Sequence, residues 1–448
     1  MSVPPSIGVA LLERHGNALC LAAIAAVLTG VMLVTPTIHN GPDGWLIAGS
    51  FLIATLCCAA AWTLVERIDP RTGLIIILVT AFAIRFGYLF IQPLLSTDMY
   101  RYIWDGRVIA EGINPYRYIP AAPELQYLRD PVIYPWINRA DYAVTIYPPM
   151  AQIFFFLATR FGQSVFSMKA AMVGCEVVII AGLLSLLRTY GQSPLKIVAY
   201  AWHPLPIWEI AGNGHVDAVM VALLISALVF FLRGSVLLAG VIATCGALVK
   251  PTALLALPVF WRPWNWKLML AVPVTIVLLY LPFLSVGTGV LGFVPEYITE
   301  EKLDTASGFR LVLMMQGMFG TIPHATTIYL TLSAVALIAL AVAAGFRRDR
   351  SNLAALRWLN WLLIAFLLLT SPHYPWYFLV LVPFLVLAPS AGGWIFTAAS
   401  VLLYADHYTT HDTRQLVLTG LMLIALAFDY WRGFFTPSLS PYLTREAT

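Results

Sequence analysis

Charge is what this sequence has least of. Asp, Glu, Lys and Arg make up 11% of its 448 residues, against 60% hydrophobic ones, and the mean hydropathy is +0.82. A chain so poor in polar surface cannot face water as a soluble globule, so lipid is its solvent. Cysteine is scarce as well. Cys20, Cys57, Cys58, Cys175 and Cys245 all fall in apolar stretches with no ligand-like spacing to histidine, which argues against disulfides and against a zinc site. Basic runs are absent: the net charge of +4 and the pI near 8.7 come from cations scattered over loops, a topology signal rather than a nucleic-acid surface. The chain also lacks a Gly-x-x-x-x-Gly-Lys phosphate loop, a Gly-x-Gly-x-x-Gly turn between a strand and a helix, and an Asp-x-Asp pair. Nothing in it is suited to taking a nucleotide sugar directly.

What is there is a succession of apolar stretches of roughly 20 residues, the length a helix needs to cross a hydrocarbon core. The expectation is an all-α, polytopic membrane bundle of about 11–14 spans, forming one transmembrane domain over residues 1–448. The first three spans read as Ala18 to Pro36, Gly44 to Val65 and Leu74 to Leu95. The first runs on into Thr-Pro-Thr-Ile-His without a small-residue cleavage site and reads as a retained span. No Lys or Arg lies between spans one and two, whereas Arg67 and Arg71 lie between two and three. The positive-inside rule then puts the N-terminus in the cytoplasm and the segment after span three outside. Arg347, Arg348 and Arg350, and the tail with Arg432 and Arg445, mark further cytoplasmic segments. Ser371 to Tyr374, Asp406 to Arg414, Glu296 to Arg310 and Asn213 to Asp217 fall outside. Tyr147 to Phe161 reads as either a span or an in-plane helix, and Val236 to Trp261, interrupted by Lys250-Pro251, as a hairpin.

The hydrophobic pattern is broken for about fifty residues between Ser96 and Ile146, a length of loop that is usually functional. It carries five arginines, six carboxylates and no lysine. Read as a helix, Asp98, Arg101, Tyr102 and Asp105 share one face. That stripe is either a surface helix with internal ion pairs or a catalytic carboxylate flanked by guanidinium forks that fit phosphate oxygens.

The run Thr97-Asp98-Met99-Tyr100-Arg101-Tyr102-Ile103-Trp104-Asp105-Gly106-Arg107, followed by Gly112-Ile113-Asn114-Pro115-Tyr116, resembles the first extracytoplasmic loop of GT-C superfamily glycosyltransferases. It is most like that of bacterial polyprenyl-phosphate-mannose-dependent mannosyltransferases. In order along the chain, Ile146 to Pro149, Ala201 to Leu205, Gly212 to Asp217, Val249 to Pro251 and Ser371 to Tyr377 add to the resemblance. Two departures stand out. The acidic pair common at the start of such loops is here Thr97-Asp98, and two hydrophobic spans precede the one that leads into the motif.

The resemblance implies a membrane enzyme that moves a hexose, mannose before others, from a polyprenyl monophosphate to a glycan or glycolipid acceptor, with inversion. Its site would face the outside of the cytoplasmic membrane, with residues 96–146 as the catalytic loop. Such transfer needs a base, cations for the departing phosphate and a dry channel for the lipid tail. Asp98 is the expected base, although Ser-Thr-Asp is also a helix-start signature. Arg101, Arg107 and Lys250 are the expected phosphate contacts. The arginines could instead pair with Asp105, and Lys250 could snorkel to the interface. Tyr102, Asp105, Asn114, Tyr147, His215, Asp217, His373, Tyr374 and Trp376 are the expected substrate-binding or orienting residues. His215 and Asp217 could equally cap a helix, and His373, Tyr374 and Trp376 could be an interfacial aromatic belt. Arg85, Glu176 and Glu209 read as intramembrane charges paired with one another. His407 and His411, near Asp406 and Asp412, raise a metal site, but four such residues on a loop lack the support a ligand set needs, so no obligatory cofactor or metal is expected. Two rival readings are a transporter or flippase of lipid-linked sugars, expected to show repeated halves and midplane chemistry, and an oligosaccharide polymerase or ligase, expected to carry its large loop late.

Overall fold

The computed structural model describes residues 7–38, 44–261, 265–404 and 411–432. Every regular element among them is helical. Among the described residues, seven helices are long and apolar enough to cross a membrane: 15–38, 44–67, 70–88, 165–189, 266–300, 325–345 and 352–370. Five shorter apolar helices accompany them. Where a count of 11–14 full spans was expected, several apolar stretches are instead broken in mid-course.

Local chemistry sets the breaks. The helix Pro70–Tyr88 starts as its sequence dictates, with the Asp69 side chain accepting from the N–H of Thr72 at 2.9 Å and proline in the first turn. It stops at Tyr88, about two turns short of the expected Leu95. There the buried Lys169 ammonium takes the carbonyls of Tyr88 and Ile91 at 2.5 and 2.7 Å, and the Asn213 side-chain oxygen takes the N–H groups of Leu94 and Leu95. Backbone that leaves a helix at membrane depth has to be satisfied by protein, and here it is.

Two ambiguous segments resolve by length. Pro149–Phe161 has 13 residues, about 20 Å of helix and too short to span. Val236 to Trp261 is the expected hairpin: a helix Val236–Ala247 turns at Leu248–Lys250 into Pro251–Phe260, which packs back on it. The carbonyl of Leu248, freed by the turn, accepts the N–H of Met150 at 3.0 Å, so the hairpin tip anchors the start of the short helix.

Residues 195–228 form the axis of the molecule and are almost wholly buried. The helix Asp217–Leu232 is apolar on all sides, as an element enclosed by other helices must be. Arg85 and Glu176 pair beside this axis, Nε to Oε2 at 3.0 Å and Nη2 to Oε1 at 2.9 Å, as expected. Glu209 does not join them.

At one end of the bundle lies the long polar loop, opening on the helix Asp98–Ala110. That helix packs on Pro149–Phe161 so closely that a Cβ on Gly106 would lie 2.4 Å from the carbonyl oxygen of Phe155. Only glycine permits the approach. Arg71 starts the helix whose far end leads to Asp98, and Arg347, Arg348 and Arg350 precede the helix Asn352–Thr370, whose last residues reach the same polar end.

Candidate active site

A cavity of about 1790 Å³ opens beneath the polar loop. Its apolar wall includes Val165 and Phe166, Leu330 and Phe366, which belong to three of the seven membrane-crossing helices. Its polar wall gathers Asp98, Tyr102, Asn138, Arg139, Tyr147, Lys250, Glu300, Glu301, His373, Tyr374 and Trp376. The space therefore joins a charged rim to bilayer depth.

Asp98 is the first residue of its helix, and Ser96 Oγ caps its N–H at 3.2 Å. Thr97, at the cap position, makes no side-chain cap. The Asp98 side chain is 20% exposed, toward the cavity. Oδ1 accepts from Asn138 Nδ2 at 2.5 Å, and Oδ2 lies 3.8 Å from Nδ1 of the buried His215.

The arginines of the stripe do not reach the cavity. Arg101 is buried, its Nε 2.9 Å from Asp105 Oδ1 and its Nη1 on the carbonyl of Ala143. Asp105 also accepts from Gln152 at 3.1 Å. Arg107 binds Asp130, the carbonyl of Leu128 and Gln163. After burial is offset, these Arg107 bonds and two backbone N–H groups hold the Asp130 carboxyl below the usual aspartate range. Both guanidinium groups, expected as phosphate contacts, are thus occupied in fastening the loop, and neither lines the cavity. Asn114 is likewise fastening: Nδ2 donates to the Phe283 carbonyl and to Ser285, away from the cavity.

The cations that do line the cavity are Lys250 and Arg139. Lys250 Nζ is 2.7 Å from Asp217 Oδ2 and 4.3 Å from the centre of the Tyr377 ring. Lys250 and Asp217 are therefore one unit, with the lysine forward and the carboxylate buried behind it. Arg139 stands in the left-handed region at φ 56°, a conformation that costs a non-glycine residue on the order of 1 kcal/mol. Its Nε donates to Glu300 at 2.7 Å, its Nη2 is 2.5 Å from Glu300 and 3.9 Å from Glu301, and it overlies Tyr297. Burial pulls the guanidinium down, but the hydrogen bond and charge of Glu300 and the charge of Asp98 outweigh it and hold Arg139 above the ordinary arginine value.

The aromatic residues form a stack. Trp376 lies between Tyr374, at 4.5 Å and 6° between planes, and His215, at 4.0 Å and 21°. His373 Nδ1 is 3.1 Å from Glu301 Oε2, and the Tyr374 hydroxyl donates to Glu301 at 3.4 Å. Burial, with Glu301 adding, pushes the Tyr374 phenol up to about 12, so it remains a donor at neutral pH. Tyr102 stacks on Phe155 at 4.6 Å and presents its edge to the cavity beside Tyr147. His215 is not on the wall. It sits behind Asp98 and is 1% exposed.

Sequence reasoning missed Asn138, Arg139, Glu300 and Glu301, none of which has a periodic neighbour or motif to mark it; Tyr377 closes the Ser371 to Tyr377 run but was given no role there. Asp406 and His407 lie outside the described residues, as do the side chains of His411 and Asp412; among the described residues no group of three or more His, Cys, Asp or Glu could hold a metal.

Comparison with known proteins speaks to the same region. The model of the MptA/B family, described as "Alpha-(1->6)-mannopyranosyltransferase, N-terminal domain", matches residues 14–265, more than half of the chain. The chain belongs to this family. The matched segment contains Asp98, Arg139, His215 and Lys250, while the carboxylates and aromatics from Glu300 onward lie beyond it. A relative, alpha-(1->6)-mannopyranosyltransferase A of Mycobacterium tuberculosis (strain ATCC 25618 / H37Rv), is 24% identical over 320 residues, 64% of this chain and 60% of the relative. The chain thus spans about 60% of that relative's length. No solved structure matches it.

Proposed function

We propose that this MptA/B family member transfers mannose from a polyprenyl-phosphate mannose to a hydroxyl of an extracytoplasmic glycan or glycolipid, in a single displacement with inversion. The observation that carries the reading is one cavity that holds Asp98, two cations and an apolar wall made by membrane-crossing helices, while Asp130, the other aspartate on its wall, is taken up by Arg107. Asp98 takes the proton of the acceptor hydroxyl as its oxygen bonds to the anomeric carbon. The bond from that carbon to the phosphate oxygen breaks, and its electron pair leaves with the polyprenyl phosphate. Asn138 fixes the carboxylate for the attack.

Lys250 and Arg139 meet the departing phosphate. Each is held by a carboxylate, and each can exchange part of that contact for phosphate oxygens. The polyprenyl tail lies along Val165, Phe166, Leu330 or Phe366, and the Tyr374–Trp376 stack supports a sugar ring from its face. The arginines at 67, 71, 347, 348 and 350 flank the ends of helices away from the cavity, so the positive-inside rule turns the cavity outward and the N-terminus inward.

The test is a donor panel. Purified protein in nanodiscs, supplied with extracted cell-envelope lipids, releases polyprenyl phosphate from the mannose donor and not from the glucose or arabinose analogues. Equal release from all three would remove mannose from the proposal, and no release from any would remove the donor class.

A further inference from the structure

His215 was expected to touch the acceptor sugar, yet it lies under the site with a carboxylate at each end of its ring. Gly214, at φ 71°, turns the chain just before it, and a Cβ there would lie 2.3 Å from the Met99 methyl group. The turn seats the imidazole flat on Trp376. Nδ1 faces Asp98 Oδ2 at 3.8 Å, and Nε2 faces Glu209 Oε2 at 3.3 Å. Neither ring nitrogen makes a hydrogen bond as it stands: the Asp98 contact is too long and the Glu209 contact is poorly aligned, so the buried imidazole is uncommitted between two carboxylates. Glu209 is fully buried, and its Oε2 also accepts from Tyr404 at 3.0 Å and Asn213 at 3.1 Å. A ring kept only for packing would not need a buried carboxylate behind it, because burying that charge is costly.

The geometry points to a proton relay running from Asp98 through His215 to Glu209, and it rests on the reading of Asp98 as the base. The relay needs a small in-plane rotation of the ring, so that Nε2–H donates to Glu209 while the Nδ1 lone pair faces the Asp98 carboxylate. Once Asp98 has taken the acceptor proton, its O–H donates to Nδ1 and the contact closes. The proton on Nε2 passes to Glu209, so one proton enters, one is stored, and Asp98 is again a carboxylate. Proton removal from Asp98 keeps an acid away from the newly made glycosidic oxygen, which would otherwise favour the back reaction. When product leaves, the path runs in reverse and water entering the cavity takes the proton.

The other titratable groups around the ring are already engaged. Asp217 is held by Lys250, Tyr404 donates to Glu209, Lys169 binds two carbonyls, and Tyr374 stacks on the far face of Trp376. None of them offers Asp98 a second route. In the family of general acid–base groups His215 is thus a positioning residue that acts through Asp98, not one that touches substrate.

The experiment is the pH profile of kcat for donor consumption by the full chain, in wild type, His215→Phe and Glu209→Gln, with Asp98→Asn in parallel. His215→Phe retains a ring on Trp376 but cannot carry a proton. Glu209→Gln keeps an oxygen for Tyr404 and is the comparison of choice if the first variant does not fold. The relay predicts that each lowers kcat by roughly 10- to 100-fold, leaves the donor KM unchanged and alters the pH dependence of kcat. Wild-type kcat and pH profile in either folded variant would overturn it. Inactive Asp98→Asn beside such a variant would sink the relay alone, whereas turnover by Asp98→Asn would sink the base beneath it.

Discussion

At the scale of single residues, charge type and charge position separate. The sequence supplies five arginines in one loop, and residue chemistry says correctly that guanidinium suits phosphate. It cannot say which guanidinium is free to act, because that depends on where each fork points in the folded loop. Arg101 and Arg107 sit on a regular helix; the partner of Arg101, Asp105, is its neighbour one turn on, whereas Arg107 reaches Asp130 and Gln163, which helical spacing does not reveal. Arg139 sits on irregular, left-handed backbone, where no periodicity applies. Arg139→Ala is expected to lower kcat/KM for the donor by roughly 10- to 100-fold, the loss of about 1.5–3 kcal/mol for a hydrogen bond to a charged group. Arg107→Ala, by contrast, should shift the thermal midpoint in detergent and leave the donor KM nearly intact. Equal kinetic loss in both, measured side by side, would return the phosphate to the stripe.

At the scale of elements, apolar length located the spans well and their ends poorly. The start of the second helix at Gly44 follows from composition, the third begins at Pro70 on an Asp69 cap, four residues before the Leu74 read from the apolar run, and the hairpin at Lys250 follows from a charge and a proline inside an apolar run. The helix that ends at Tyr88 was read as running to Leu95 because what stops it, Lys169, lies 81 residues away in the chain. Glu209 was assigned to the Arg85 pair for a similar reason, since the sequence shows intramembrane charges but not their partners. Gly106 is the element-scale test. Its replacement by Ala pushes a methyl into the Phe155 carbonyl and should cost about 1–3 kcal/mol of stability. Because Asp98 rides on the same helix, turnover should fall with it. A Gly106→Ala protein with unchanged unfolding temperature and turnover would show that the helix packs less tightly than described.

At the scale of the whole molecule, the chemistry is gathered at one end of the bundle and the arginine clusters at the other. A transporter would be expected to place its polar groups midway between, whereas Asp98, Arg139 and Glu300 all rim a single cavity. Orientation is open to direct measurement. A cysteine at the exposed Ser307 should react with a membrane-impermeant maleimide in intact cells, and one at the exposed Arg348 only after permeabilisation. The reverse pattern would put the cavity in the cytoplasm. The most direct test of the account as a whole is polyprenyl phosphate release from polyprenyl-phosphate mannose by wild type and Asp98→Asn, at matched folded protein and with acceptor lipids present. Release by wild type and none above background by Asp98→Asn is the predicted result; release at a comparable rate by both would contradict it.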